Sequence, residues 1–496
     1  MHLLGLDIGS SSIKASIIDA ESGSTSASVF YPDKEMPISV PEPGFAEQDP
    51  GMWWKYSCHA IKKVIGKSGI KAEDIRAIGI SYQMHGLVMV DKNLEVVSPS
   101  IIWCDSRATG IGNKALRDIG EDKCLGHLLN SPGNFTASKL AWVKENQPRL
   151  FDSIYKMMLP GDYIAMKLTG EVRTTVSGLS EGILWDFKNN DIADFILDYY
   201  GIDRSVIPEA VPTFGEQGTV TGKASGETGL PEGIPVAYRA GDQPNNAFSL
   251  NVLKPGELAA VAGTSGVVYG VSDRMVYDPQ SRINIFAHVN HSAKKPGLGV
   301  LLCINGAGIL NSWIRRNISV DMTYEQIDCM AASVKVGADG LIIIPFGNGA
   351  ERMLDNTNYG AGVYNLDFNI HSREHILRAA HEGLAFAFRY GIELMNNMGI
   401  GSEVIRAGYG NMFLSPVFRQ TLSNITGAVL ELYNTDGANG AALAAGLGAG
   451  IFKNEDEAFR DLSVIKRTEP ELEYAGQYSM AYDNWLNELN RYINNN

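Results

Sequence analysis

Two acidic residues stand in settings that suit chemistry. Asp7 closes an apolar run, residues 3–7, and is followed by Gly9-Ser10-Ser11-Ser12 and then Lys14 on a second run. Glycine lets backbone approach a ligand closely, and successive N–H groups and hydroxyls can donate to phosphate oxygens. A carboxylate beside such a cradle suits Mg²⁺, held directly or through water, and Lys14 adds a positive charge. Read alone, the segment equally fits a surface hairpin with a solvated aspartate. Asp242 lies in Ala240-Gly241-Asp242-Gln243-Pro244-Asn245-Asn246, soon after the apolar run 234–236. An acid at a strand end can take the proton of a substrate hydroxyl, and it can equally be a helix N-cap. A second hydroxyl- and glycine-rich turn, Gly263-Thr264-Ser265-Gly266, follows and offers phosphates a cradle from the other side. Two such turns, one per half and each with an acid nearby, make a rarer combination than either alone.

The elements that must hold these residues alternate between strands and helices. Residues 3–7 and 13–18 read as a hairpin, and residues 258–261 and 267–271 read as another about 255 residues further on, which points to a duplicated architecture. Asp49-Pro50 predicts a helix start, with the helix running over 52–65 to a stop at Gly66. Residues 75–81 predict a strand, followed by the loop Tyr82-Gln83-Met84-His85-Gly86 and a strand over 87–90. The Pro-, Gly- and Ser-rich stretch 219–235 reads as a boundary region. Residues 341–344 read as a buried strand. Ser372 predicts the cap of a long helix ending near Met398 and Gly399. The terminal Asn494-Asn495-Asn496 is expected to fray. The pattern implies an α/β enzyme of two domains.

Composition narrows the class. The 496 residues carry 42 basic and 56 acidic side chains, a net charge of −14. Such a field repels a phosphate backbone and argues against nucleic-acid binding. No apolar stretch is long enough to span a membrane, since residues 441–452 are interrupted by glycines, and residues 1–7 lack the features of a secretory leader. Five cysteines without a CxxC pair fit a reducing compartment, so the expected location is the cytoplasm. Other familiar motifs fail. Gly66-Lys67-Ser68 lacks the upstream P-loop glycine, which is Ile61, and His381-Glu382-Gly383-Leu384-Ala385 has no second histidine for zinc. The GxG pairs lack the third glycine of a dinucleotide fingerprint.

The sequence resembles the FGGY carbohydrate kinases. The matching pieces are Gly5-Leu6-Asp7-Ile8-Gly9-Ser10-Ser11-Ser12-Ile13-Lys14, Gly44-Phe45-Ala46-Glu47-Gln48-Asp49-Pro50, Gln83-Met84-His85-Gly86 and Trp103-Cys104-Asp105-Ser106-Arg107. Asn134-Phe135-Thr136-Ala137-Ser138-Lys139-Leu140, Gly241-Asp242, the 263–266 turn and residues 437–446 follow in family order across nearly the whole chain. Within the family the likeness is greatest to the xylulose-phosphorylating members. Gln243 and Cys104 stand where those members often carry asparagine, and the segment 407–415 is longer than the common form.

The resemblance implies an α/β fold of two ribonuclease-H-like domains, of the actin, hexokinase and Hsp70 type, with a cleft between them. It divides the chain into residues 1–242 and 243–496. It implies ATP and Mg²⁺ as cofactors, a small sugar as partner, and a homodimer as the assembly. By the same similarity Asp242 is the catalytic base and Asp7 the metal-side aspartate. Gly9, Ser10, Ser11, Ser12, Lys14, Gly263, Thr264 and Ser265 hold ATP phosphates, while Gly306, Gly410 and Asn411 line the nucleotide pocket. Gln83, Met84, His85, Trp103, Asp105 and Gln243 surround the sugar with Asp242. The implied reaction is phosphoryl transfer to a ketopentose, D-xylulose first. The alternatives are L-ribulose, L-xylulose, L-fuculose or glycerol as acceptor, and a non-catalytic actin- or Hsp70-like ATP-binding protein. Keeping both Asp7 and Asp242 speaks against the last.

Overall fold

A computed structural model describes residues 1–401 and 403–495. The first five strands of interest are β1 (His2–Ile8), β2 (Ile13–Asp19), β3 (Thr25–Tyr31), β4 (Ile75–Tyr82) and β5 (Val236–Gly241). They form one sheet in the order β5-β4-β1-β2-β3. β1, β2 and β3 pair antiparallel, whereas β4 and β5 run parallel to β1. A second sheet contains β6 (Leu258–Ala262), β7 (Gly266–Ser272), β8 (Asn284–Ala287), β9 (Leu298–Ile304), β10 (Val404–Gly408), β11 (Val429–Tyr433) and β12 (Val464–Thr468). Its order is β8-β9-β7-β6-β10-β11-β12. The central five repeat the first sheet strand for strand: three antiparallel strands, then two parallel to the first. This duplication is the two-domain ribonuclease-H-like fold expected from the resemblance, with β8 and β12 added at the edges.

The two sheets meet through helices. The ones that matter for the site are α1 (Pro50–Ser68), α2 (Val176–Glu181), α3 (Asp242–Ser249), α4 (Ala307–Asn317), α5 (Arg373–Asn397) and α6 (Gly437–Gly448). α6 follows the last parallel strand of the second sheet, yet it lies on the first. A Cβ on Gly5 of β1 would sit 1.9 Å from the Ala438 carbonyl oxygen, and one on Gly79 of β4 would sit 1.9 Å from that of Ala441. The helix is built of glycine, alanine and leucine apart from Asn439, and its small face seals an apolar seam with Leu3, Ala77, Tyr238 and Phe248. Rigid backbone lies on both sides of that contact, so neither side can relax. Gly79→Val should therefore cost about 3 kcal/mol or more, at the upper end of overpacking penalties. Urea unfolding monitored by tryptophan fluorescence would measure it, and an unchanged midpoint would refute the seam.

Several expectations hold, and three are corrected. Asp49 caps α1, accepting from Gly51 N at 2.8 Å, and Pro50 opens it. The helix does not stop at Gly66 but continues to Ser68. Gly69, at φ 72°, makes the left-handed cap, which turns Ile70 back onto the core. The stretch 219–235 is not a boundary. It contains a helix, Gly222–Thr228, capped by Thr221, and it buries Val220, Ala224 and Leu230 in the first domain's core. Its glycines at 229 and 233 serve tight turns at positive φ. The third is at the C-terminus, where the last helix, Ala475–Asn495, includes Asn494 and Asn495; Asn496 lies outside the described residues. α5 follows Ser372 as expected, and Ile342–Ile344 is a buried strand. Among the described residues, no helix is long and apolar enough to cross a membrane.

Candidate active site

The antiparallel register of β1 and β2 sets Asp7 opposite Lys14 and leaves residues 9–12 as the tip. Gly9 N closes the turn on Ser12 O at 3.1 Å. Ser81, on the neighbouring β4, donates its hydroxyl to Asp7 Oδ1 at 2.9 Å, and Lys14 Nζ lies 3.9 Å from Oδ2. From the other domain, α6 begins directly against this carboxylate. A Cβ on Gly437 would come within 2.7 Å of Asp7 Oδ2, so a larger residue there would push the carboxylate aside. Asp436 caps α6 by accepting from Asn439 N. Burial pushes the Asp7 carboxyl up, against the pull of Lys14 and Ser81, and Asp436 adds to the rise. Lys14 is held protonated by Asp7, Asp436 and Asp242 together.

Three carboxylates thus act on one lysine, and the locus has negative charge to spare. No group of three or more His, Cys, Asp or Glu side chains could hold a metal alone among the described residues. Mg²⁺ does not need one, because it keeps its waters and binds through one or two carboxylates plus substrate phosphates. The donor set fits that ion.

The second hairpin repeats the first. Ala262 pairs with Gly266 and leaves 263–265 as the tip. The start of α4 packs onto it: a Cβ on Gly308 would lie 1.8 Å from Gly263 O, and Ile309 N donates to Thr264 O at 3.2 Å. Gly306 is equally tight, with Pro345 O 2.1 Å from its would-be Cβ. Glu351, fully buried, accepts from Asn305 N and Gly306 N, both at 3.0 Å, and burial lifts its carboxyl to about 7. Asn411, at φ 52°, brings its amide against Gly263. A cavity of about 270 Å³ joins Lys14 from the first domain to Tyr409, Gly410, Asn411 and Asp436 from the second. A further cavity of about 640 Å³ opens beyond Thr264, lined by Ser312, Arg315, Arg316 and Tyr324.

A second cluster is built around Asp242, the first residue of α3. Its neighbour Gly241 is wedged between Met84 Cγ and Glu181 Oε2, each 2.6 Å from a would-be Cβ. Burial, and then repulsion from Asp7, lift the Asp242 carboxyl to about 7 against a hydrogen bond with Gln243. His85 stands at φ 60° with Nδ1 2.9 Å from the Glu181 carbonyl oxygen. A carbonyl only accepts, so Nδ1 carries the proton and Nε2 keeps its lone pair. Burial and the nearby Lys139 cation push His85 down to about 3, which keeps it neutral. Its ring packs against Phe135, centroids 4.8 Å apart, and against Phe286 of β8 at 5.2 Å.

The remaining sequence candidates divide. Trp103 is 48% exposed and reaches over the first hairpin, Nε1 3.4 Å from Ser10 Oγ. Gln83 is buried behind that hairpin, where it and Trp53 share Gln48 Oε1, while Gln48 Nε2 donates to Ser10 O. Met84 is buried packing. Asp105 is only 1% exposed, and its carboxylate accepts from Ala46 N, Arg107 N and Arg107 Nε. Its oxygens face the wall, so it braces Arg107 rather than opening into the cleft. Residues that the sequence did not single out complete the arrangement: Ser81, Glu181, Glu351 and Asp436. Lys139 belongs with them. It was visible only as part of a motif, and it is fully buried, donating to His85 O at 2.8 Å and Ile102 O at 2.9 Å.

Comparison with known proteins agrees with this geometry. Residues 2–249 match the N-terminal domain of the FGGY family of carbohydrate kinases, and residues 258–449 match its C-terminal domain. The chain belongs to the FGGY family. As a member it is a carbohydrate kinase, binding a sugar and ATP. It is 27% identical over 463 residues to a xylulose kinase of Bacillus subtilis, covering 92% of this chain and 90% of that one. It is 28% identical over 483 residues to an L-xylulose/3-keto-L-gulonate kinase of Escherichia coli, covering 94% and 92%. Its fold matches the crystal structure of a xylulose kinase from Rhodospirillum rubrum with a TM-score of 0.88, at 24% identity and full coverage of both chains.

Proposed function

We propose that this FGGY kinase transfers the γ-phosphate of ATP to D-xylulose, giving D-xylulose 5-phosphate. The observation that carries the transfer is the electrostatic coupling of Asp242, lifted to about 7, with Asp7 and Lys14, beside a cavity that Lys14 shares with Tyr409, Gly410, Asn411 and Asp436. Phosphoryl transfer depends on alignment and charge neutralisation more than on covalent chemistry. In this reading residues 1–242 carry most of the sugar site and the first hairpin, and residues 243–496 carry the nucleotide pocket. Asp242 takes the proton of the attacking hydroxyl, and His85 Nε2 accepts from a sugar hydroxyl. The backbone and hydroxyls of Gly9, Ser10, Ser11, Ser12, Gly263, Thr264 and Ser265 hold phosphates with Lys14. Gly306, Gly410 and Asn411 flank the nucleoside. Asp7 would hold Mg²⁺, whose charge offsets that of the phosphates. The curated relatives support xylulose as acceptor, and the same reading has the enzyme acting in the cytoplasm as a homodimer.

Coupled ADP release with ATP and Mg²⁺ tests the assignment across D-xylulose, L-xylulose, D- and L-ribulose, L-fuculose and glycerol. The expected outcome is the highest kcat/KM for D-xylulose. A higher value for another sugar would overturn the substrate, and no turnover of any would overturn the kinase reading.

A further inference from the structure

Among the described residues no carboxylate forms an ion pair with Arg352, a cation from the second domain that reaches Ser131 and Phe135 of the first. It opens a short turn, Arg352–Leu354, directly after Glu351. Its Nε donates to Ser281 O at 2.8 Å, and Nη2 makes a long contact of 3.5 Å with Ser131 Oγ. Its guanidinium lies 5.6 Å from the centroid of Phe135, the ring that packs on His85. The acid acting most strongly on it, Asp278, is already paired with Arg282 at 2.9 Å. Burial lowers Arg352 to about 10, which leaves it charged at neutral pH. Arg352 also acts electrostatically on His85 and on Cys303, and Cys303 feels Asp242 in turn. Arg352 and His85 therefore flank the same Phe135 ring, the guanidinium 5.6 Å and the imidazole 4.8 Å from its centroid.

A recessed guanidinium that spends its strong donors on neutral oxygens is short of an acceptor. Arginine offers five N–H donors and no lone pair, so it favours an oxygen that only accepts. We propose that Arg352 determines specificity by donating to the carbonyl oxygen of a ketose, at the end of the sugar away from the hydroxyl presented to Asp242. This rests on the kinase reading above. It gives the second domain a direct hold on the sugar, so that substrate bridges the two halves. A carboxylate at the same position would satisfy the same donors.

The test compares the ketose that the wild-type enzyme uses best with the two pentitols formed by reducing its carbonyl. Wild type, Arg352→Lys and Arg352→Met are assayed by ADP release. Losing a charge-assisted hydrogen bond is expected to raise the ketose KM about 10- to 100-fold in the Met variant, with a smaller change in kcat. The ketose-over-pentitol ratio of kcat/KM should fall at least about 10-fold, with partial recovery in the Lys variant. An unchanged ratio would overturn the inference, as would an equal loss on ketose and pentitols, which marks a structural role. A wild-type enzyme inactive on every ketose would overturn the ketose reading on which this inference rests, a failure distinct from either of these.

Discussion

Asp242→Asn is expected to lower kcat by about 10³- to 10⁴-fold, the upper range for loss of a positioned general base. Asparagine keeps the shape of the side chain at the head of α3, and what disappears is the ability to accept a proton. ATP affinity, measured by calorimetry, should therefore change little. The wild-type pH profile carries the same argument. A carboxyl lifted to about 7 is protonated below that pH and cannot serve as base, so kcat/KM for the sugar should rise with pH through about 7 and then level off. Glu351 is lifted to a similar value but acts on the α4 turn, so Glu351→Gln should leave this limb in place.

Stability should move the other way. A raised carboxyl contributes stability below its unfolded pKa and loses it as pH climbs to about 7, so above that pH the ionised Asp242 is a net cost. The Asn variant should then melt no lower than wild type at pH 8. A variant that lost activity by unfolding would melt lower, and substantial turnover in a well-folded Asn variant would remove Asp242 from the role of base.

The candidate site was legible in the sequence where it depends on contiguous residues. Each hairpin tip is a short stretch whose glycine and hydroxyl content marks a turn, and Asp7 and Asp242 stand where strands end, as the structure has them. Helix α5 was legible at both ends because a cap and a glycine are local signals. What remained hidden depends on partners far away in the chain. Gly5 and Gly79 look like weak points in two strands until α6, hundreds of residues later, is laid across them. Lys139 looks like an ordinary surface lysine on a helix, yet it is buried because two carbonyl oxygens, from residues 85 and 102, converge on it. Asp105 shows the converse. Its position in a motif near the cleft implied contact with sugar, but the loop 44–48 folds over and takes its carboxylate. The error at 219–235 has the same root, since glycine density marks turns and says nothing of what packs beneath them.

Asp7→Asn separates charge from shape at the other end of the transfer. Asparagine retains Oδ1 for the Ser81 hydroxyl and still fits against Gly437, so the hairpin and the α6 junction should stay in place. The negative charge goes, and with it the hold on a divalent cation. The expected result is a fall of about 10²- to 10³-fold in kcat, comparable to losing one preorganised electrostatic contact in other enzymes. The Mg²⁺ concentration needed for half-maximal rate should rise as well. A second consequence follows from the coupling between the two acids. Asp7 helps to push Asp242 up, so its neutralisation should move the acid limb of kcat/KM to lower pH even as the plateau drops. Loss of rate with an unmoved limb and an unchanged Mg²⁺ requirement would contradict the placement of Asp7 on the metal side. A lowered limb with a raised Mg²⁺ requirement ties both carboxylates to one reaction, because the limb reports the charge that Asp7 places near the base and the Mg²⁺ requirement reports a hold on the cation that a merely structural aspartate would not supply.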